Sequence, residues 1–201
     1  MNDIAIRRHK VDIQPKVPLT AENVAGSSII ESRLAMLDAL PNGMRCLELG
    51  VAEGDFSQEL LKRLAPRTLS LVDLWSGERY EPGFSKVKNI FKDDIEGGVV
   101  SIHKNNSLDF LNSSEIASFD FVYIDTDHTY QTTYKELCAA MRIISEGGYI
   151  CGHDFTVGNI ITPVVYGVIE AVCKFCVEYK WKIKYLTAEP KGWNSFCLER
   201  I

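Results

Sequence analysis

The sequence predicts an α/β fold: a mostly parallel sheet with helices on both faces and an antiparallel pair of strands at its C-terminal end. Three observations carry this expectation. Apolar strand patterns alternate with helical ones from about residue 45 to 179. Residues 119–125 form a near-continuous apolar run, as in a strand whose two faces are both covered by helices. The last two strand patterns, 181–186 and 195–199, have no helix between them, so they are expected to pair antiparallel at one edge.

Taken in order, residues 1–26 contain Pro15 and Pro18 and read as an irregular N-terminal arm; residues 27–201 read as a single domain. Ser27 or Ser28 can cap a helix whose apolar positions Ile30, Leu34, Leu37 and Leu40 fall at helical spacing. Pro41-Asn42-Gly43 ends it and leads into a strand at 45–49. A helix at 56–65 is stopped by Pro66, and a second strand runs over 68–73. Residues 76–83 read as a loop, 85–91 as a helix, 99–103 as a short strand, and the pattern around 108–111 as a short helix. After the strand at 119–125 comes a helix at 132–144, with Tyr134, Leu137, Met141 and Ile144 on one side. Gly147-Gly148 closes it before a strand at 149–152, and Pro163 starts a helix that continues to about Tyr179.

At 201 residues the chain is long enough for one domain with a substantial core. A net charge of −5 argues against a partner bound by phosphate neutralisation, so no nucleic acid is expected; Arg7-Arg8-His9-Lys10 reads as a solvated run. No apolar run reaches the roughly 20 residues that span a bilayer, and the N-terminus lacks the apolar core of a signal peptide, so no membrane is expected. The six cysteines lie mostly in apolar segments, as in a reduced, cytoplasmic protein, and Cys173-Lys-Phe-Cys176 reads as part of a helix rather than a metal or redox pair.

The stretch Cys46-Leu-Glu48-Leu-Gly50-Val-Ala-Glu53-Gly54-Asp55-Phe56 is a strand that delivers a tight glycine turn into a helix N-terminus, a place where folds hold nucleotide-like ligands. Asp73 ends the next strand, where a carboxylate can accept hydrogen bonds from both hydroxyls of a ribose. Together they point to an adenosine-type cofactor. A dinucleotide fingerprint needs G-x-G-x-x-G, whereas here Gly50-x-x-x-Gly54 is accompanied by Glu48 and Glu53. Those carboxylates would repel a pyrophosphate but suit a ligand carrying an ammonium and a sulfonium. An NAD-dependent oxidoreductase on a related sheet is thereby disfavoured. A non-catalytic cofactor-binding protein would lack an ionisable cluster at the strand ends, and Asp125, Asp127, His128, His153 and Asp154 supply one. Five such groups would be costly to gather without purpose. No G-x-S-x-G nucleophile elbow is present.

The glycine turn resembles the first motif, E/D-x-G-x-x-x-G, of the class I S-adenosylmethionine-dependent methyltransferases. Tyr123-Ile-Asp125-Thr-Asp127-His128-Thr-Tyr130 and Gly147-Gly148-Tyr-Ile-Cys-Gly-His153-Asp154 resemble the D-x-D-H-x-Y and G-G-x-I-x-x-H-D signature of the small family that includes macrocin-type sugar O-methyltransferases. They are more distantly similar to the catechol O-methyltransferase group. The resemblance spans residues 45–155. It implies a Rossmann-like seven-stranded mostly parallel sheet, S-adenosylmethionine as methyl donor, a divalent cation such as Mg²⁺, and a homodimer.

On that resemblance the cofactor-binding residues are Glu48, Gly50, Gly54, Phe56, Asp73, Leu74, Trp75, Asn106, Ser107 and Asp125. Leu74 and Trp75 are placed to cover the adenine, and Asn106-Ser107 to form the adenine-contacting turn. Asp125 and Asp154 match metal-ligand positions of the catechol-type group. His128 stands where that group carries a lysine base, and Phe155 where it has a third ligand, an asparagine. His153, Asp127 or water would then complete the sphere. His128, His153 and Asp125 are the catalytic candidates, since an imidazole beside a polarised hydroxyl can accept its proton. The expected reaction is O-methylation of a small-molecule hydroxyl, with the acceptor defined by loops 76–84 and 155–162.

Overall fold

The computed structural model describes residues 3–201; Met1 and Asn2, at the start of the arm, lie outside the described residues. The chain opens with α1 (Asp3–Asp12), a short 3₁₀ turn (Glu22–Val24), β1 (Ser28–Ile30) and α2 (Arg33–Asp38). Then follow β2 (Arg45–Leu49), α3 (Asp55–Leu64), β3 (Thr68–Asp73), α4 (Glu81–Ile90), α5 (Lys92–Glu96), β4 (Val100–Lys104) and α6 (Ser107–Ser113). The second half comprises β5 (Phe119–Ile124), α7 (Tyr130–Ile143), β6 (Ile144–Gly152), β7 (Gly158–Asn159), β8 (Val164–Val165), α8 (Val168–Tyr179), β9 (Trp181–Thr187) and β10 (Phe196–Arg200).

The main sheet runs β1-β9-β10-β6-β5-β2-β3-β4, with β7 and β8 as a separate antiparallel pair. All seven expected strands are present, and β10 is antiparallel to both β6 and β9. The short β1 adds an eighth strand, parallel to β9, so β9 is not the edge. Strand order reverses at β2, which lies between β3 and β5 with both neighbours parallel to it. This is the topological switch point, and the crevice outside its carboxyl end is where open α/β sheets bind ligands.

Side-chain alternation along β2 and β5 divides the core in two. Leu47, Leu49, Val122 and Ile124 face α6, α7 and α8, whereas Cys46, Phe121 and Tyr123 face α2, α3 and α4. With both faces buried, the strands read as continuous apolar runs. At the N-terminal edge Arg45 forms a bidentate pair with Asp120, joining β2 to β5 and holding the Asp120 carboxyl far below its ordinary pKa. Among the described residues no helix is long and apolar enough to cross a membrane.

Four local expectations are corrected. The arm carries helix α1, which has no buried residue; further on, the buried Asn23 amide donates to the carbonyls of Cys176 and Trp181, laying the arm on α8 and β9. Ser28 lies in β1, and α2 is capped by Ser32, whose hydroxyl accepts the Ala35 N–H. Helix α4 starts at Glu81 rather than at 85, because Pro82 is tolerated in a first turn. Pro163 lies between β7 and β8, and α8 begins only at Val168. There Gly167 backs so closely onto Tyr130 that a Cβ would meet its nitrogen at 2.4 Å.

Candidate active site

A cleft of about 730 Å³ opens at the carboxyl ends of β2, β3, β4 and β5. This is an ordinary size for a small-molecule or cofactor site. Its floor is the glycine turn. Gly50 leaves β2 with φ +88°, and a Cβ there would lie 1.8 Å from the Asp125 carbonyl oxygen, so only glycine lets the turn meet the end of β5. Gly54, at φ +84°, is the N-cap of α3, but its open side faces Val87 and Phe91 rather than the cleft.

Glu48, Phe56, Asp73, Leu74, Asn106, Ser107, Asp125 and His128 all line the cleft, as do Asp127 and the backbone of the turn. Asp73 does more than the sequence showed. Its Oδ2 accepts the N–H groups of Val51 and Ala52 at 2.8 and 2.9 Å, and its Oδ1 accepts that of Trp75 at 2.8 Å. These three bonds lock the turn to the tip of β3 and leave the carboxylate one of its roughly four lone-pair sites. Asn106 caps α6 by accepting the N–H groups of Leu108 and Asp109, which sets the wall opposite the turn.

Trp75 departs from its expected place over an adenine. It is fully buried, its indole N–H donates to the Ala52 carbonyl at 2.8 Å, and it packs beneath the turn against Phe84. Leu74 is the half-exposed residue of the pair, and it alone lines the cleft.

Glu48 is buried on the face toward α3 and accepts a hydrogen bond from Ser57. Burial pushes its pKa up to about 8; the Ser57 bond opposes the rise and the nearby Asp125 charge adds to it. Behind the cleft wall, Glu136 on α7 is fully buried, accepts from Thr126, and has one oxygen without a hydrogen-bond partner among the described residues. Burial pushes its pKa up to about 7.

At one end of the cleft the ionisable cluster gathers. His128 Nε2 lies 3.3 Å from Asp154 Oδ2 and its Nδ1 4.0 Å from Asp125 Oδ1. His153 Nδ1 lies 3.3 Å from Asp154 Oδ1 and 3.8 Å from Asp125 Oδ2. Burial would raise both carboxyls. For Asp125 it prevails over the neighbouring imidazoles; Asp154 falls below its ordinary pKa through its bond to His153 and the charges of His153, His128 and Arg33. Ligand atoms of Asp125, His128 and Asp154 lie within 4.8 Å of one another, whereas Asp127 accepts the Thr129 N–H and the Thr132 hydroxyl at the start of α7, which Thr129 caps. His153 and Asp154 adjoin the cleft rather than line it.

Sequence reasoning missed Arg33, Arg79, Thr126 and Thr132, which also line the cleft. Arg79 lies in the loop expected to overhang the site, and Thr126 sits inside the quoted motif. Arg33 had no such signal: it lies in α2, outside every motif, and reaches the cleft only through tertiary packing.

The comparisons with known proteins agree with this fold. No curated protein matches the chain. Among solved structures, a protein of Corynebacterium glutamicum superposes with a TM-score of 0.60 at 15% identity, over 99% of this chain and 90% of that one. Aeropyrum pernix fibrillarin in complex with natively bound S-adenosyl-L-methionine gives 0.59 at 15% identity, over 83% and 73%. An O-methyltransferase family protein from Burkholderia thailandensis gives 0.60 at 12% identity, over 84% of this chain and 55% of that one. The chain thus spans about half the length of this last protein and of several others that it matches. At these identities the likeness shows the fold. A family model described as a methyltransferase domain matches residues 47–155, from the middle of β2 to just past the ionisable cluster, and by that match the chain belongs to the methyltransferase domain family.

Proposed function

We propose that the protein uses S-adenosylmethionine to methylate a hydroxyl of a small molecule, with a divalent cation at the ionisable cluster. The observation that carries this reading is continuity: one cleft runs from Asn106 and Ser107, past Asp73 and the glycine turn, to Asp125 and His128. An adenosine cofactor laid along it would put adenine against Leu74, ribose at the remaining lone pair of Asp73, and the sulfonium near Asp125. In the reaction, an acceptor oxygen attacks the methyl carbon as the sulfonium–methyl bond breaks. The products are the methyl ether, neutral S-adenosylhomocysteine and one proton. The protein's main contribution is then to align the reactants and exclude water.

The donor set fits a cation. Phe155, at the position of the third ligand in the catechol-type group, packs on Phe196 with ring centroids 6.1 Å apart, and His128 takes the third place beside Asp125 and Asp154. An imidazole in the set favours Mn²⁺, Fe²⁺ or Zn²⁺ over Mg²⁺. Such an ion, when bound, lowers the pKa of a coordinated hydroxyl. His153, which adjoins the cluster, would then be the group to accept the proton. The net charge of −5 and the predominance of acids around the cleft favour a small-molecule acceptor over a nucleic acid.

Calorimetric titration tests this reading, with S-adenosylhomocysteine against NADH as control and then with Mn²⁺ on the wild type and on Asp154→Asn. Asparagine tolerates the left-handed φ of +56° at this position, so the variant should fold. Micromolar binding of S-adenosylhomocysteine alone is expected, together with Mn²⁺ binding that Asp154→Asn abolishes. No binding of S-adenosylhomocysteine overturns the cofactor; equal Mn²⁺ binding by both proteins overturns the metal site.

A further inference from the structure

Arg33 is held at the mouth of the cleft by a segment that lies outside the matched family region. The cap on Ser32 fixes the start of α2, and the Arg33 N–H donates to Glu189 Oε1 at 2.6 Å. The Ile30 carbonyl accepts the Ala188 N–H at 2.8 Å, continuing the pairing of β1 with β9. From this anchored position the side chain crosses to α3, where its guanidinium carbon lies 4.4 Å from the centre of the Phe56 ring. A guanidinium stacked on an aromatic face is oriented before any ligand arrives.

Its charge acts on Glu48, Tyr123, Asp125 and Asp154. Yet among the described residues no carboxylate oxygen lies within 4.0 Å of its guanidinium nitrogens. A planar cation with five donors, half-buried beside a cleft and without a carboxylate partner, is suited to a bidentate anion. Phe56 and Glu48 place that anion at the glycine turn. There Asp125 supplies negative charge a short distance from Arg33, and Glu48 a carboxyl oxygen able to accept an N–H. Opposite charges so arranged match an α-amino acid, whose ammonium and carboxylate share one carbon.

We propose that Arg33 binds the α-carboxylate of the amino-acid tail of the methyl donor, while Glu48 and Asp125 face its ammonium. This rests on the cofactor reading given above and extends it to a residue outside every motif.

The test compares three ligands by calorimetry: S-adenosylhomocysteine, its decarboxylated analogue, and 5′-methylthioadenosine, which lacks the whole tail. Arg33→Ala should weaken S-adenosylhomocysteine roughly 10- to 100-fold, the worth of one charge-assisted pair. It should leave 5′-methylthioadenosine within about two-fold, and Arg33→Lys should recover part of the loss. Unchanged binding of S-adenosylhomocysteine, or an equal loss for both ligands, overturns the assignment. If the variants fail to fold, the wild type still decides: it should prefer S-adenosylhomocysteine to the decarboxylated analogue by the same factor, and no preference overturns the proposal. A wild type that binds none of the three removes the cofactor reading itself, whereas one that binds all three equally removes only the role of Arg33.

Discussion

At Gly50 the chain turns out of β2 beside the carbonyl of Asp125, and around it four non-glycine residues hold left-handed backbone: Ala52 at φ +49°, Trp75 at +39°, His128 at +59° and Asp154 at +56°. Each such residue costs roughly 1–3 kcal/mol. All four lie at the carboxyl edge of the sheet, next to the cleft. The surroundings hold them there. Asp73 grips the N–H groups of Ala52 and Trp75, the His128 carbonyl accepts the Gly167 N–H, and the Asp154 carbonyl accepts that of Thr156. Gly50→Ala tests how rigid the corner is. A Cβ 1.8 Å from a backbone oxygen has no rotamer to relieve it, so β2 and β5 must separate. The expected loss is about 3 kcal/mol or more, read as a lower urea midpoint, with loss of S-adenosylhomocysteine binding. A variant with wild-type midpoint and affinity would show that the corner yields.

Among the elements, α2 shows how tertiary pairing overrides local pattern. The spacing of Ile30, Leu34, Leu37 and Leu40 suits a helix begun at Ser27 or Ser28, but β1 takes Ser28–Ile30 to pair with β9, some 150 residues away. The helix therefore starts at the next available cap, Ser32. Ser32→Ala should cost about 1 kcal/mol of stability in urea unfolding. Because Arg33 is the next residue, the same change should also weaken S-adenosylhomocysteine more than 5′-methylthioadenosine. An unchanged ligand preference would mean that Glu189 and β1 hold Arg33 without the cap. Pro163 gives a parallel case. It is a good helix opener, yet Gly167 must first bring the chain against Tyr130, so α8 waits until Val168.

Across the whole molecule, the buried acids link stability to pH. Burial raises Glu136 to about 7 and Glu48 to about 8, from ordinary values of 4.5. Between about pH 4.5 and 8 the native state keeps protons that the unfolded chain has released. Stability therefore falls as pH rises through this window, and the full cost remains above it. Glu136→Gln removes one share. Its stability in urea should exceed that of the wild type at pH 8, by about 3 kcal/mol at most, and this advantage should vanish near pH 4.5. An equal difference at both values would mean that Glu136 does not titrate with folding.

The sequence by itself determined the alternating architecture, since apolar periodicity is a local property: β2 and β3 have the bounds expected from it, and Glu48, Gly50, Asp73, Asn106 and Asp125 meet at one cleft because each ends or follows a parallel strand. What only the tertiary structure decided are facts about distant neighbours. Trp75 is buried because Gly83 and Phe84 of α4 close over it. His128 joins Asp125 and Asp154 because the segments following β5 and β6 converge. Arg33 enters the site because β1 adds to the far edge of the sheet and carries α2 across to Phe56. Periodicity records which way a side chain faces along its own element; which element it meets is set by packing and strand pairing between residues far apart in the chain.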